Sequence, residues 1–272
     1  MDLYSPKTIK HVLKEIKAAP LKTFGQNFLI NKAVIEKTIS FVYCDTVIEV
    51  GGGLGQISLP LSHKTKKLII IEKDKAFCDF LRKLFQKNKN VYIIEDDCLE
   101  VLKNLNQVAE KYKIGGDFEI VGNLPYNIAT KIIELSLLAS PTPKSIIATT
   151  QKEVAQRIVA KPPKMNYLAC KVQYLAKPKI LLYISKNNFW PKPKIDSAIL
   201  KITPKKNIEK LKKDYTSFIG FAKILYSHPR KTIRHNLKLS KMNIKIEENF
   251  LRKRAEQIQI KDLINLWENT QE

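Results

Sequence analysis

Apolar positions along this chain follow two rhythms. Near the start, Ile9, Val12, Leu13 and Ile16 recur at i, i+3, i+4 and i+7, one stripe of a helix that Ser5-Pro6 opens as N-cap and first-turn proline. A turn at Pro20 leads into Lys22-Thr23-Phe24-Gly25-Gln26-Asn27-Phe28-Leu29, which has no helical period. Asn31 then caps a second helix with Val34, Ile35, Thr38 and Ile39 on one side. From Thr46 the rhythm changes to short, almost unbroken apolar runs at 46–50, 68–71, 91–94, 118–121 and 145–149. Such runs, bounded by Gly, Asn, Asp and Glu, read as strands buried on both faces. Helical stretches fall between them: one through Leu61, and one capped by Asp74 that carries Phe77, Phe80, Leu81 and Leu84.

Strands alternating with helices predict an α/β, Rossmann-like, mostly parallel doubly wound sheet. Two further runs, 180–184 and 197–202, are joined by Asn188–Lys194 without a helix, which predicts an antiparallel hairpin at the sheet edge. After Thr203-Pro204 the strand signal ceases, and 208–225, 231–237, 247–257 and 261–267 read as helices. The expected domains are therefore 1–204, α/β, and 205–272, small and all-α.

At 272 residues the chain has room for these two units. Its formal charge of +22 and pI of about 9.7 point to a polyanion, with nucleic acid ahead of an anionic membrane. Lys far outnumbers Arg, which favours phosphate contacts over bidentate reading of base edges. Cys44, Cys78, Cys98 and Cys170 form no C-x-x-C pair, so neither a zinc site nor a disulfide framework is expected. With no apolar run of bilayer length and no secretory leader pattern, a cytoplasmic protein without membrane contact is expected.

Two motifs carry the chemistry. Gly51-Gly52-Gly53-Leu54-Gly55 turns from a strand into a helix, where glycines let a ligand approach backbone N–H groups. Glu72 ends the next strand, placed to accept from ribose hydroxyls, and Asp97 ends the third, placed to accept from an adenine amine. Dinucleotide and S-adenosylmethionine folds share this arrangement. Val121-Gly122-Asn123-Leu124-Pro125-Tyr126-Asn127 separates them. There a stiff turn presents the Asn123 amide, the Leu124 carbonyl and the Tyr126 ring together. Two acceptors beside an aromatic plate suit a planar ring with an exocyclic amine, which hydride transfer has no use for.

Asn123–Tyr126 is similar to the signature of methyltransferases acting on exocyclic amines. Together with Phe24–Leu29, Gln151-Lys152-Glu153, Phe189–Ser197, Arg230–Arg234 and Arg254-Ala255-Glu256, the chain resembles the ribosomal RNA adenine N6-dimethyltransferase family, above all its bacterial small-subunit branch. The resemblance implies a class I S-adenosylmethionine-dependent methyltransferase fold. It implies dimethylation at N6 of two adjacent adenosines in a hairpin loop near the 3′ end of small-subunit ribosomal RNA, linked to subunit biogenesis. Asn27 and Leu29 would line the methionine end of the S-adenosylmethionine cofactor, with Gly51 and Gly53 beneath it. Glu72 would hold the ribose and Asp97 the adenine. Asn123, with Leu124 and Pro125, would sit between methyl donor and target amine, and Tyr126 and Phe189 would sandwich the target base. No metal is implied. The partner would be RNA in an assembling subunit, met by a monomer. Gly52 departs from the family, which usually has Pro there, and is expected to loosen the loop. The rivals are a large-subunit adenine methyltransferase that confers antibiotic resistance, and a non-catalytic RNA-binding assembly factor.

Overall fold

The computed structural model describes residues 2–18, 27–240 and 246–270; the turn expected at Pro20 and the Lys22–Gln26 part of the motif lie outside the described residues. Contacts divide the chain into two units, Met1–Ala155 with Lys179–Thr203, and Gln156–Pro178 with Pro204–Glu272. A single cut near 204 leaves 156–178 on the other side of that division.

The first unit opens with α1 (Pro6–Glu15), β1 (Phe28–Leu29) and α2 (Lys32–Ser40). It then alternates β2 (Thr46–Val50), α3 (Ser58–Lys64), β3 (Lys67–Glu72), α4 (Lys75–Leu84) and β4 (Val91–Glu95). Next come α5 (Cys98–Lys103), α6 (Leu105–Lys111), β5 (Phe118–Asn123), α7 (Ala129–Leu138), β6 (Ser145–Gln151) and α8 (Lys152–Ile158). β7 (Ala176–Ile184), β8 (Phe189–Trp190) and β9 (Ser197–Pro204) complete the strands.

Seven of these strands form one sheet in the order β4-β3-β2-β5-β6-β9-β7. β2 pairs in parallel with both β3 and β5, β3 with β4, and β5 with β6. β9 runs antiparallel to β6 and neighbours β7 at the edge, where the antiparallel C-terminal hairpin of a mostly parallel α/β sheet is expected. β7 starts at Ala176, earlier than the apolar run at 180–184 predicts, and contains Pro178. It lies at the sheet edge, where a missing N–H breaks no ladder. The core beneath the sheet gathers Val47, Leu68, Ile70, Val121, Ile147 and Ile199, all fully buried. Strand order reverses between β2 and β5, and ligands of open α/β sheets bind outside the carboxyl ends of the strands at such a point.

β1 and β8 add a two-stranded antiparallel ladder that strand periodicity misses, since each strand has two residues; Phe28 faces Trp190 and Leu29 faces Phe189.

The second unit holds α9 (Tyr167–Leu175), α10 (Ile208–Leu225), α11 (Ile233–Leu239), α12 (Glu248–Leu251) and α13 (Ile260–Glu268). The Tyr174 ring of α9 stacks on Phe218 of α10 at 4.1 Å, and Trp267 of α13 meets Phe218 edge-on at 5.9 Å. These contacts place α9 in the helical unit. The helix expected over 247–257 is interrupted after Leu251. There Ile233 N–H bonds to the Lys253 carbonyl and Thr232 bridges to Arg254, pairing the chain across instead of along.

Candidate active site

The glycine loop takes its shape from three left-handed residues at the end of β2: Gly51, Gly53 and Gly55 have φ of 80°, 52° and 83°. Gly52 has no such φ, yet a Cβ there would stand 2.4 Å from Ile70 Cγ2 and 2.9 Å from Leu81 Cδ1. The expectation that Gly52 loosens the loop is thereby corrected. The loop presses onto β3 and α4 at that residue, and a hydrogen is what fits.

Glu72, buried at the end of β3, closes on the loop. Its Oε2 accepts from Gly53 N–H at 2.9 Å, while Oε1 accepts from the N–H groups of Lys73 and Asp74 at 2.8 and 2.9 Å. A carboxylate has about four acceptor sites, so capacity remains on Oε2 for a hydroxyl. Burial raises its pKa, and the three backbone donors oppose the rise. Asp97 caps α5, its Oδ1 accepting from Leu99 N–H at 2.8 Å and its Oδ2 from Lys73 Nζ at 2.9 Å. The Lys73 ammonium, then the capping N–H, hold this carboxyl below the usual range.

Asn123 closes β5. Its Nδ2 donates to the Asn27 carbonyl at 2.7 Å. A flipped amide would set two oxygens at that distance, so the chemistry fixes the orientation. Oδ1 is left buried with no hydrogen-bond partner. Such an atom costs about 1–3 kcal/mol in an unliganded protein and marks a place where a donor is meant to arrive.

A cavity of about 520 Å³ lies between these groups. Asn27, Leu29, Gly51, Gly53, Glu72, Asp97, Asn123 and Pro125, all named from the sequence, line it together. Three others stand outside the lining. Leu124 is buried, its N–H bonded to the Thr149 carbonyl at 3.1 Å. Tyr126 is half-buried beside it, its hydroxyl 2.7 Å from Ser197 Oγ, which pins the ring. Phe189 is 2 % exposed, enclosed with Leu29, Val121, Ile147 and Ile199. Of the two rings expected to sandwich the target base, that of Phe189 presents little surface in the unliganded protein. The β1–β8 ladder turns Phe189 into the core and leaves its neighbour Trp190 half-buried at the surface.

Among the lining residues that sequence reasoning passed over, Phe28 and Glu49 bear on the chemistry. Phe28 stacks on Trp190 (6.5 Å, 14° between planes) and meets Phe77 edge-on at 6.0 Å, and its ring stands 3.3 Å from where Gly53 would carry a Cβ. Glu49 is 1 % exposed and its Oε2 has no partner. Burial pushes its carboxyl up to about 8. A carboxylate inside an otherwise apolar strand was the visible signal for it.

These donors and acceptors fit S-adenosylmethionine. The cofactor brings ribose hydroxyls, an adenine amine and an ammonium, and the cavity offers Glu72, Asp97 and the unpartnered Glu49 oxygen to receive them. Among the described residues, no cluster of His, Cys, Asp or Glu could hold a metal ion.

The model of the ribosomal RNA adenine dimethylase family matches residues 20–271. Ribosomal RNA small subunit methyltransferase A of Borreliella burgdorferi (strain ZS7) is 35% identical over 269 residues, covering 95% of this chain and 92% of that protein. The protein of the same name in Treponema denticola is 39% identical over 243 residues, covering 86% and 80%. The crystal structure of a dimethyladenosine transferase from Plasmodium falciparum shares the fold with a TM-score of 0.71 at 21% identity, covering 87% of this chain and 94% of that one.

Proposed function

This chain belongs to the ribosomal RNA adenine dimethylase family, and on that footing we propose that it is an S-adenosylmethionine-dependent methyltransferase that dimethylates N6 of two adjacent adenosines in small-subunit ribosomal RNA. The target pair lies in a hairpin loop near the 3′ end of that RNA, in an assembling subunit. The enzyme acts as a cytoplasmic monomer; its four free cysteines suit a reducing compartment. No described helix is long and apolar enough to cross a membrane.

Asn123 carries the reading. The cofactor supplies an electrophilic methyl on a sulfonium. The chain's own task is to make a poor nucleophile ready, because the N6 lone pair of adenine is delocalised into its ring. Oδ1 of Asn123, held by the Nδ2 bond to Asn27, accepts one N6 hydrogen and the Leu124 carbonyl accepts the other. With both hydrogens engaged, the nitrogen turns pyramidal and its lone pair faces the methyl, which is alignment and preorganised electrostatics. No general base is required, since the alkylated nitrogen is acidic and sheds its proton afterwards.

Glu72 receives the ribose hydroxyls, Asp97 the cofactor's adenine, and Asn27, Leu29 and the glycine loop the methionine end. Tyr126, pinned by Ser197, is the plate on which the unstacked target base rests, worth about 1–3 kcal/mol. Enclosed as it is, Phe189 backs the site as a wall. The test is incubation with S-adenosylmethionine and small-subunit particles lacking the modification, followed by mass spectrometry of nuclease fragments. Dimethyladenosine at an adjacent pair is expected; modification confined to large-subunit RNA, or none at all, overturns the reading.

A further inference from the structure

Helix α1 precedes the residues that the family model matches, and none of the site residues lies on it. Its inward face is committed. Ile9, Val12 and Leu13 share one buried cluster with Phe28, with Leu54 of the glycine loop and with Phe77 of α4. Just ahead of the helix, the Leu3 carbonyl accepts from Gln56 Nε2 at 3.3 Å. The helix is thus bolted to the wall of the cofactor cavity, since Phe28 lines that cavity.

Its outward face is basic. Lys7, Lys10 and Lys14, at i, i+3 and i+7, are all exposed on one side, and none of the three is ion-paired among the described residues. Between them His11 pairs with Glu15, which takes up the helix's single acid at 3.3 Å. Lys10 Nζ stands 5.9 Å over the ring of Trp190, the residue stacked on Phe28. From Trp190 the chain runs on through exposed Lys192 and Lys194 to Ser197, which holds Tyr126. One line of positive charge therefore passes along α1, over an aromatic ring, and on to the loop that holds the base plate.

We infer that the Lys7–Lys10–Lys14 face of α1 is a contact surface for the phosphate backbone of the substrate RNA, guiding the strand that flanks the target adenosine past Trp190 toward Tyr126. This inference rests on the proposed RNA substrate. Lysines at one-turn spacing are point charges suited to successive phosphates rather than to base edges. Their rigid seating means little side-chain order beyond the lysines themselves is lost on binding.

The test compares two triple variants with equal loss of charge. In the first, Lys7, Lys10 and Lys14 are each changed to Gln, which keeps helix propensity. In the second, exposed Lys83, Lys87 and Lys89 are changed to Gln. Those three lie in the last turn of α4 and in the loop leading into β4, at the amino ends of the strands, whereas the cavity is lined from their carboxyl ends. RNA KM is measured from low to moderate salt, together with S-adenosylhomocysteine affinity. For single-stranded RNA, each lost phosphate contact flattens the log–log salt dependence by about 0.7, so the α1 variant is expected to lose about 2 in slope. At ~0.15 M salt that corresponds to an increase on the order of 50-fold in KM. Cofactor affinity and the α4 variant are expected to match wild type. A slope change smaller than one contact's worth, or one equal to that of the α4 variant, overturns the inference. Should the triple variant fail to bind S-adenosylhomocysteine, Lys10→Gln and Lys14→Gln are scored singly on the same slope. Wild-type enzyme that fails to methylate small-subunit RNA counts against the proposed function instead.

Discussion

Replacing Asn123 with alanine is expected to separate stability from activity. In the unliganded protein the side chain makes one hydrogen bond, Nδ2 to the Asn27 carbonyl at 2.7 Å, and leaves Oδ1 buried without a partner. A neutral hydrogen bond contributes about 1 kcal/mol net, whereas an unsatisfied buried polar atom costs about 1–3 kcal/mol. Asn123→Ala removes both and leaves a small hollow, costing on the order of 1 kcal/mol. The terms nearly cancel, so unfolding free energy is expected to stay within about 1 kcal/mol of wild type. Activity behaves otherwise: loss of one preorganised partner of the reacting group costs about 10²–10³ in rate. Urea denaturation and single-turnover methylation, with S-adenosylhomocysteine affinity as control, measure the two sides. A loss of more than ~2 kcal/mol with the rate within tenfold of wild type refutes the reasoning, because Asn123 would then be a structural brace. Asn123→Asp sharpens the comparison. It keeps Oδ1 but sets a second oxygen against the Asn27 carbonyl, so it is expected to destabilise, and to do so less at low pH, where a protonated acid can donate.

Other substitutions probe the surrounding frame. Gly52→Ala is expected to lower stability by about 1–3 kcal/mol in urea unfolding, because its Cβ meets Ile70 and Leu81; an unchanged midpoint would show that β3 and α4 yield at that point. Ser197→Ala and Tyr126→Phe remove the same 2.7 Å hydrogen bond, so each is expected to raise RNA KM with little change in cofactor affinity. Their double variant is expected to be no worse than either alone; additive effects would mean the two act separately. For Glu49, folding raises the pKa from 4.5 to about 8, so the native state binds more protons than the unfolded chain between those values. Stability of the cofactor-free protein is therefore expected to fall as pH rises through that window, and Glu49→Gln to remove that part of the fall, read as melting temperature against pH. Parallel curves for the two proteins would discount the buried carboxyl.

What was legible in the sequence follows the reach of each interaction. Buried parallel strands declare themselves because both faces are covered, leaving runs such as Leu68–Ile71 that need no partner to be recognised. The glycine loop, Glu72 and Asp97 declare themselves too, because each sits at a strand end within its own β–α unit. The arrangement that makes the site chemical is written across distance. Asn123 is oriented by a carbonyl 96 positions earlier, and Tyr126 is pinned by a hydroxyl 71 positions later. Phe189 was named for the base site, but its neighbour across the ladder is Leu29, so pairing between two-residue strands decides which aromatic ring turns inward. Residue type says what Asn123 is able to do. The Asn27 carbonyl, by taking up the donor end of the amide, determines that its acceptor end is the one offered to the cleft. A search for reactive positions in such folds is therefore best directed at buried side chains with one end satisfied and the other not, a condition that Asn123 meets in full.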